Sequence, residues 1–97
     1  MSGTARPDET ISNERVRVTR WDFVARGDNT GWHRHAYDYV VVPLADGVLE
    51  IADAAGNRTQ ARLTAGVPYY REAGVEHDVI NANAGPFSFV EIEVLTS

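Results

Sequence analysis

Three histidines are the residues of this chain best suited to chemistry, and two of them are separated by a single residue. His33 and His35 lie at positions i and i+2, and in an extended strand such residues point to the same face about 7 Å apart. Both imidazoles can therefore bind one ion, and His77 can join them only if a distant strand brings it there. The alternative is a pair of surface histidines beside Arg34, and the pair alone does not decide between these interpretations.

The composition limits the chemistry open to these histidines. The 97 residues carry 14 acidic and 9 basic side chains, a net charge of −5. An acidic surface repels phosphate backbones, so the sequence predicts no nucleic-acid partner. The chain contains no cysteine, which excludes disulfides, thiolate nucleophiles and sulfur ligands. Any metal must therefore be bound by histidines and carboxylates.

Apolar runs in this sequence are short. The longest, Tyr39 to Ala45, is far too short to cross a bilayer. The residues from Met1 to Glu9 lack the apolar core of a signal peptide. We therefore expect no membrane partner and a cytoplasmic location.

The elements that must position the histidines are predicted to be strands. No window of a dozen residues shows a helical apolar period, whereas short β-prone runs alternate with turns rich in glycine, asparagine and aspartate. The predicted strands are Val16 to Phe23, Trp32 to His35, Asp38 to Leu44, Val48 to Ala52, Thr59 to Leu63, Val67 to Arg71, His77 to Asn81 and Phe87 to Leu95. This spacing predicts an all-β sandwich or barrel.

The first fifteen residues differ from the rest. Residues 1–15 are polar, contain Pro7 and show neither a helical nor a strand period. We expect a flexible or partner-crossing arm there and one β-barrel domain over residues 16–97. A barrel this small has little stability to spare and leaves strand edges to be covered. The sequence therefore favours a homodimer packed sheet against sheet, the alternative being a monomer.

The spacing around the histidines resembles the two sequence motifs of the cupin family. The matching residues are Gly27, His33, His35 and Gly47 in the first motif and Gly66, Gly74, His77 and Asn81 in the second. The resemblance covers Gly27 to Asn81, over half of the chain. It implies a jelly-roll barrel, a double-stranded β-helix. Within the family the whole chain is similar to small single-domain bacterial proteins named for β-alanine degradation.

The resemblance also implies a metal site. His33, His35 and His77 match the histidine ligands of the family. Imidazole suits Zn, Fe, Ni, Co and Cu, with Mn also compatible, whereas Mg and Ca prefer oxygen ligands. Three imidazoles leave coordination positions open for water or a substrate. The expected cofactor is a divalent transition metal of unspecified identity.

The chain departs from the family at the glutamate ligand of the first motif. That position falls on Tyr39 or Val40, and neither is a carboxylate. Tyr39 shares the face of His33 and His35 by strand parity, so we expect it to be a fourth ligand or a hydrogen-bond donor beside the ion. Asp38 reaches that face only if a bulge precedes it.

Other polar residues near the motifs receive simpler interpretations. Tyr39 and Tyr70 are the tyrosines chosen to point into the barrel and orient a polar ligand, the alternative being that they fill space. Arg71 with Glu72 is expected to form a solvated rim. Glu91 and Glu93 are expected on the wet face of a strand whose other face is aliphatic.

Two classes of function follow from these expectations. The first is a metal-binding cupin that acts on a small polar metabolite, as a metal-dependent enzyme of the dioxygenase, isomerase or lyase type. The second is a non-catalytic module that binds a small ligand, because cupins have many functions and a fold does not choose among them. A barrel with unmetallated histidines is the third alternative.

Overall fold

The chain forms an all-β fold, as the strand pattern predicts. The computed structural model describes residues 3–95, and its regular structure in that range consists of nine strands. In chain order these are β1 (Arg6–Ser12), β2 (Val16–Phe23), β3 (His33–Arg34), β4 (Asp38–Pro43), β5 (Gly47–Ala52), β6 (Arg58–Leu63), β7 (Tyr69–Arg71), β8 (Glu76–Asn81) and β9 (Phe87–Val94). Strands β2 to β9 correspond to the eight predicted strands. Within these residues no helix is long and apolar enough to span a membrane.

The strands form two antiparallel sheets that enclose the interior between them. The five-stranded sheet has the order β1-β2-β9-β4-β7, and the four-stranded sheet has the order β3-β8-β5-β6. Neighbours in a sheet are often distant in sequence, as where β2 pairs with β9 over eight residue pairs from Val16↔Val94 to Phe23↔Phe87. This is the strand arrangement of a jelly roll, and it brings His77 to the first two histidines because β3 pairs with β8.

The N-terminal residues differ from the expectation of an arm without strand structure. Arg6–Ser12 pairs with β2 as an exposed edge strand, with an irregularity between Glu9 and Ile11. The main-chain hydrogen bonds to β2 require no apolar period, so the side-chain pattern did not reveal this strand. Pro7 is tolerated because an edge strand has one unpaired side. Met1 and Ser2 lie outside the described residues, and a crossing to a partner remains a prediction.

The apolar core occupies one end of the space between the sheets. Its aromatic centre is the tilted pair Phe23 and Phe89, with ring centroids 5.8 Å apart. The buried core residues are Ala5, Phe23, Tyr39, Val41, Leu49, Leu63, Val79, Phe87 and Phe89. Gly47 lies against this cluster so closely that an added Cβ would come within 2.7 Å of the Phe87 ring. A side chain at position 47 would therefore displace the core.

Hydrogen bonds to the main chain close the apolar end. Asn81, 1% exposed, donates from its side-chain amide to the carbonyls of Ala25 and Gly85 at 3.0 and 2.9 Å. The Asp28 carboxylate accepts from the backbone N–H groups of Gly3, Val24 and Ala25. These bonds tie the loop after β2 to the end of β8, so a polar residue at the end of the second motif has a structural role.

Candidate metal centre

The three histidines meet at one point between the sheets. Nε2 of His35 lies 3.0 Å from Nε2 of His33 and 3.1 Å from Nε2 of His77. One nitrogen from each ring forms a group within 4.8 Å. A tetrahedral zinc ion with Zn–N bonds near 2.05 Å holds its nitrogen ligands about 3.3 Å apart. The three imidazoles therefore fit a transition metal, since the two Nε2–Nε2 distances of 3.0 and 3.1 Å are close to this spacing.

Strand pairing and one glycine bring these rings together. His33 and His77 lie directly opposite each other in the pairing of β3 with β8. His35 follows β3, and its N–H donates to the carbonyl of Val75 at 2.9 Å while its carbonyl accepts from the N–H of Gly74 at 2.7 Å. Gly74 has a φ of 99°, a left-handed conformation that favours glycine. The glycine of the second motif thus fixes the backbone of a first-motif histidine.

Contacts on the far side of the rings orient their Nε2 atoms. Nδ1 of His33 lies 2.9 Å from the carbonyl of Gly31, and a carbonyl accepts only from a protonated nitrogen. This bond therefore leaves Nε2 of His33 with a free lone pair. Nδ1 of His35 faces Oε1 of Glu91 at 3.6 Å, which is beyond a hydrogen bond.

Burial keeps the inner histidines neutral. It lowers the pKa of His35 to about 4, with the nearby His33 adding to the effect. Burial also lowers the pKa of His77 to about 4, with His33 and His35 as further causes. Metal ligation requires an unprotonated imidazole, so these two rings are in the ligand form at neutral pH.

Tyr39 lies on the inner face beside the histidines. It is 3% exposed, and its ring stacks on the imidazole of His35 with centroids 3.9 Å apart and an interplanar angle of 19°. Burial raises the pKa of Tyr39 to about 12, so its phenol is neutral. Tyr39 therefore packs against the ring of His35, and its expected bond to an ion remains a prediction. Asp38 lies on the opposite face, where its carboxylate accepts from the Tyr70 hydroxyl.

Tyr70 does not point into the barrel as predicted. Tyr69, its neighbour in the sequence, does. Tyr70 is 52% exposed and lies opposite Val40, on the outer face of the five-stranded sheet. Tyr69 lies opposite Val41 and lines the interior cavity. The difference is one residue of strand parity, since successive side chains alternate between the two faces.

The expectation for Glu91 is wrong. Glu91 is 7% exposed and lies inside the fold, where burial and the charge of Glu93 raise its pKa to about 7. The aliphatic residues on either side of Glu91, Val90 and Ile92, belong to the outer face. The parity of β9 contains a signal that identifies the inner face, because the core residue Phe89 lies two positions before Glu91.

A cavity of about 400 Å³ opens from the histidines to solvent. Its polar lining includes His33, His35, His77, Tyr39, Tyr69, Arg71 and Glu91, and its apolar wall includes Val41, Leu49, Ile51, Val79 and Phe89. A second cavity, of about 250 Å³, lies beside Arg17, Trp21 and Glu93 and also reaches His33 and His35. His33 and His35 therefore stand between two cavities, and the larger has the size of a small-molecule site.

A double-stranded β-helix with converging histidines on its inner face is the architecture of a cupin, and this chain belongs to the cupin family. It is 52% identical over 96 residues to the β-alanine degradation protein BauB of Pseudomonas aeruginosa, covering 97% of this chain and 99% of that protein. The resemblance inferred from the two motifs is thereby confirmed.

Solved structures agree on the family and the fold. A cupin domain of Bordetella pertussis Tohama I superposes with a TM-score of 0.91 and 49% identity, covering 97% of this chain and 96% of that one. A cupin of Methanocaldococcus jannaschii with a double-stranded β-helix superposes with a TM-score of 0.76 at 14% identity, covering 96% and 82%, and this likeness concerns the fold alone. No protein-family model matches the chain.

Proposed function

We propose that His33, His35 and His77 bind a divalent transition metal, and that the protein is a metal-dependent cupin acting on a small polar metabolite in the larger cavity. The observation that carries the proposal is the convergence of three Nε2 atoms, 3.0 and 3.1 Å apart, on the wall of an open cavity. Zn, Fe, Ni, Co, Cu and Mn are the candidate ions, since all accept imidazole ligands.

The chain supplies the surroundings of the reaction. A metal bound by three histidines offers open coordination positions and acts as a Lewis acid. Gly31 holds the His33 ring in the required tautomer, and Tyr39 packs against the face of His35. The apolar wall keeps bulk water from one side of the ligand, which strengthens electrostatic interactions inside the cavity.

The reaction belongs to the dioxygenase, isomerase or lyase type in this proposal. A role in small-metabolite chemistry is supported by the name of the Pseudomonas relative, which refers to β-alanine degradation. The alternative is a non-catalytic module that binds a small ligand. One observation favours that alternative, namely that Tyr39 and not a carboxylate occupies the inner-face position expected for the fourth ligand.

Metal content tests the proposal. The protein is purified without added metal or chelator, and its metals are quantified by element-resolved mass spectrometry. We expect close to one transition-metal ion per chain, against a large loss in His77→Ala and no loss in Arg62→Gln, an exposed arginine on β6. The absence of bound metal, together with no uptake of Zn, Fe, Ni, Co, Cu or Mn after dialysis, would overturn it.

The proposal includes a homodimer. A row of apolar residues crosses the outer face of the five-stranded sheet, one on each strand, and half of Ile11 and of Tyr70 is exposed. The row is Ile11, Val18, Ile92, Val40 and Tyr70. A second copy of the chain would cover it. Sedimentation at micromolar concentration should give twice the 10.7 kDa chain mass, and a monomer would refute the dimer.

We also propose a cytoplasmic location and no nucleic-acid or membrane partner. The net charge of −5 supports the first exclusion, because phosphate backbones are repelled. Fractionation of cells that produce the tagged protein tests the location, and a membrane or periplasmic pool would contradict it.

A further inference from the structure

Arg71 lies on the inner face, one strand away from the histidines. It is directly opposite Tyr39 in the pairing of β7 with β4, and opposite residues in antiparallel strands share a face with Cβ atoms about 5 Å apart. Tyr39 in turn stacks on His35. Arg71 therefore belongs to the same cavity as the metal site, and its exposure places it at the mouth.

The contacts of the Arg71 side chain hold it in place without neutralising it. Its guanidinium carbon lies 4.6 Å from the centroid of the Tyr69 ring, and one Nη donates to the carbonyl of Tyr70 at 2.9 Å. No carboxylate within residues 3–95 forms a salt bridge with it, whereas Arg17 makes two hydrogen bonds of 2.9 Å to Glu93. The other guanidinium N–H groups of Arg71 remain available to an anion.

Arg71 and His77 line the same cavity, so the guanidinium charge lies on the wall that the histidines share. A divalent ion at the histidines would place further positive charge in the same cavity. Glu91 is the carboxylate in the cavity lining, so a ligand with one negative charge is favoured over a cation.

Resting on the function proposed above, we propose that the substrate is a small carboxylic acid whose carboxylate binds Arg71 beside Tyr69. The planar guanidinium matches a carboxylate in geometry and charge. The hydrocarbon part of the molecule would lie along the apolar wall formed by Leu49, Ile51 and Val79, with its reacting group at the histidines. A carboxylate fits better than a phosphate, since Arg71 is the one arginine lining this cavity among the described residues.

Matched probes test this inference directly. Metal-loaded protein is titrated with propionate and with propionamide, its neutral analogue of nearly the same shape, by calorimetry or NMR. In the wild type we expect propionate to bind at least 10-fold more tightly, since hydrogen bonds to a charged group contribute 10-fold or more. Arg71→Gln should weaken propionate binding about 10-fold and leave propionamide binding unchanged. Arg71→Lys should retain part of the preference for propionate, because lysine keeps the positive charge but lacks the paired N–H donors of the guanidinium.

Controls separate this inference from the proposed function. Arg62→Gln should bind propionate like the wild type, and circular dichroism should show that every variant is folded. Equal propionate affinity in wild type and Arg71→Gln at equal metal content would overturn the inference and leave the metal site standing. Tighter binding of inorganic phosphate than of propionate, lost in Arg71→Gln, would also overturn it. If no metal binds, the proposed function fails, and the same titrations on the metal-free protein still test Arg71.

Discussion

The inner face has an apolar end and a histidine end, and the same two-residue alternation of side chains places the residues of both. On β9, Phe87 and Phe89 point into the core, and Glu91 and Glu93 point the same way farther along the strand. Strand parity therefore determines which side chains enter the fold, and the position along the strand determines whether they meet core or site. A buried carboxylate on a strand is thus compatible with an apolar core two residues away.

Burial contributes differently at these two ends. At the apolar end it removes hydrocarbon from water, which stabilises the fold by about 25 cal/mol per Å². At the histidine end it shifts the pKa of His77 and Glu91 away from their ordinary values, which opposes folding when the disfavoured charge state is required. Stabilising burial is thus concentrated at the apolar end, and the groups with shifted pKa values lie at the histidine end.

Truncating the core should produce the largest effect on stability. Phe89 is 4% exposed and packs on Phe23, so Phe89→Ala should lower the free energy of unfolding by about 3–5 kcal/mol. Urea denaturation followed by circular dichroism measures this loss. Val90→Ala, on the outer face of the same strand, is the matched control with a smaller loss. Equal losses in both variants would show that the two faces of β9 are not different in burial.

Removing one ligand should affect the metal more than the fold. His77→Ala leaves two of the three imidazoles, and we expect metal affinity to fall by roughly 100-fold, about 2.7 kcal/mol. The melting temperature should fall with it to that of the chelator-treated wild type, because binding to the native state stabilises it. Competition with a chromogenic chelator measures the affinity. If chelator leaves the wild-type melting temperature unchanged, metal does not contribute to stability.

Local pattern was sufficient to predict eight of the nine strands in the described residues, β2 to β9. Alternation over Val16 to Phe23 and turn residues such as Ala45-Asp46-Gly47 locate strand and turn directly in the sequence, and the structure has β2 and β5 there. The pair His33 and His35 follows from the same two-residue period. These features depend on residues close in sequence, which is why one chain alone predicts them.

Features that depend on pairing between distant strands were harder to predict. Whether Tyr69 or Tyr70 faces inward depends on the register of β7 against β4, and no local pattern specifies that register. The prediction that the β9 carboxylates lie on a wet face was wrong for a related reason. Its aliphatic face was taken as the core face, whereas in this fold it covers the outside of the sheet. The sequence did not predict β1, because pairing with β2, and not a pattern in its own side chains, makes it a strand.

Neutralising the inner carboxylate should weaken metal binding moderately. Glu91 faces Nδ1 of His35 at 3.6 Å, and groups that support a ligating histidine typically contribute 10-fold or more to metal affinity. We expect a loss of about 10-fold in Glu91→Gln, which keeps the shape of the side chain. Glu93→Gln, on the same face but paired with Arg17, should cause a smaller loss. A greater effect from Glu93→Gln would show that Glu93, and not Glu91, supports His35.

The smallest effect is expected where the apolar end is closed by Asp28. Backbone N–H groups of Ala25, Val24 and Gly3 hold the pKa of its carboxyl below the ordinary value of 3.8. Asp28→Asn keeps one acceptor oxygen, so we expect the melting temperature at pH 7 to fall by roughly 5 °C.

The pH dependence of this difference identifies its cause. Because the pKa of Asp28 is depressed by folding, its carboxylate stabilises the protein above the unfolded value of 3.8, and this contribution disappears as the pH falls through the lower folded pKa. Asn does not titrate in this range. The gap in melting temperature between wild type and Asp28→Asn should therefore be widest at neutral pH and narrow below about pH 4. A gap independent of pH would mean that lost shape, and not lost charge, destabilises the variant.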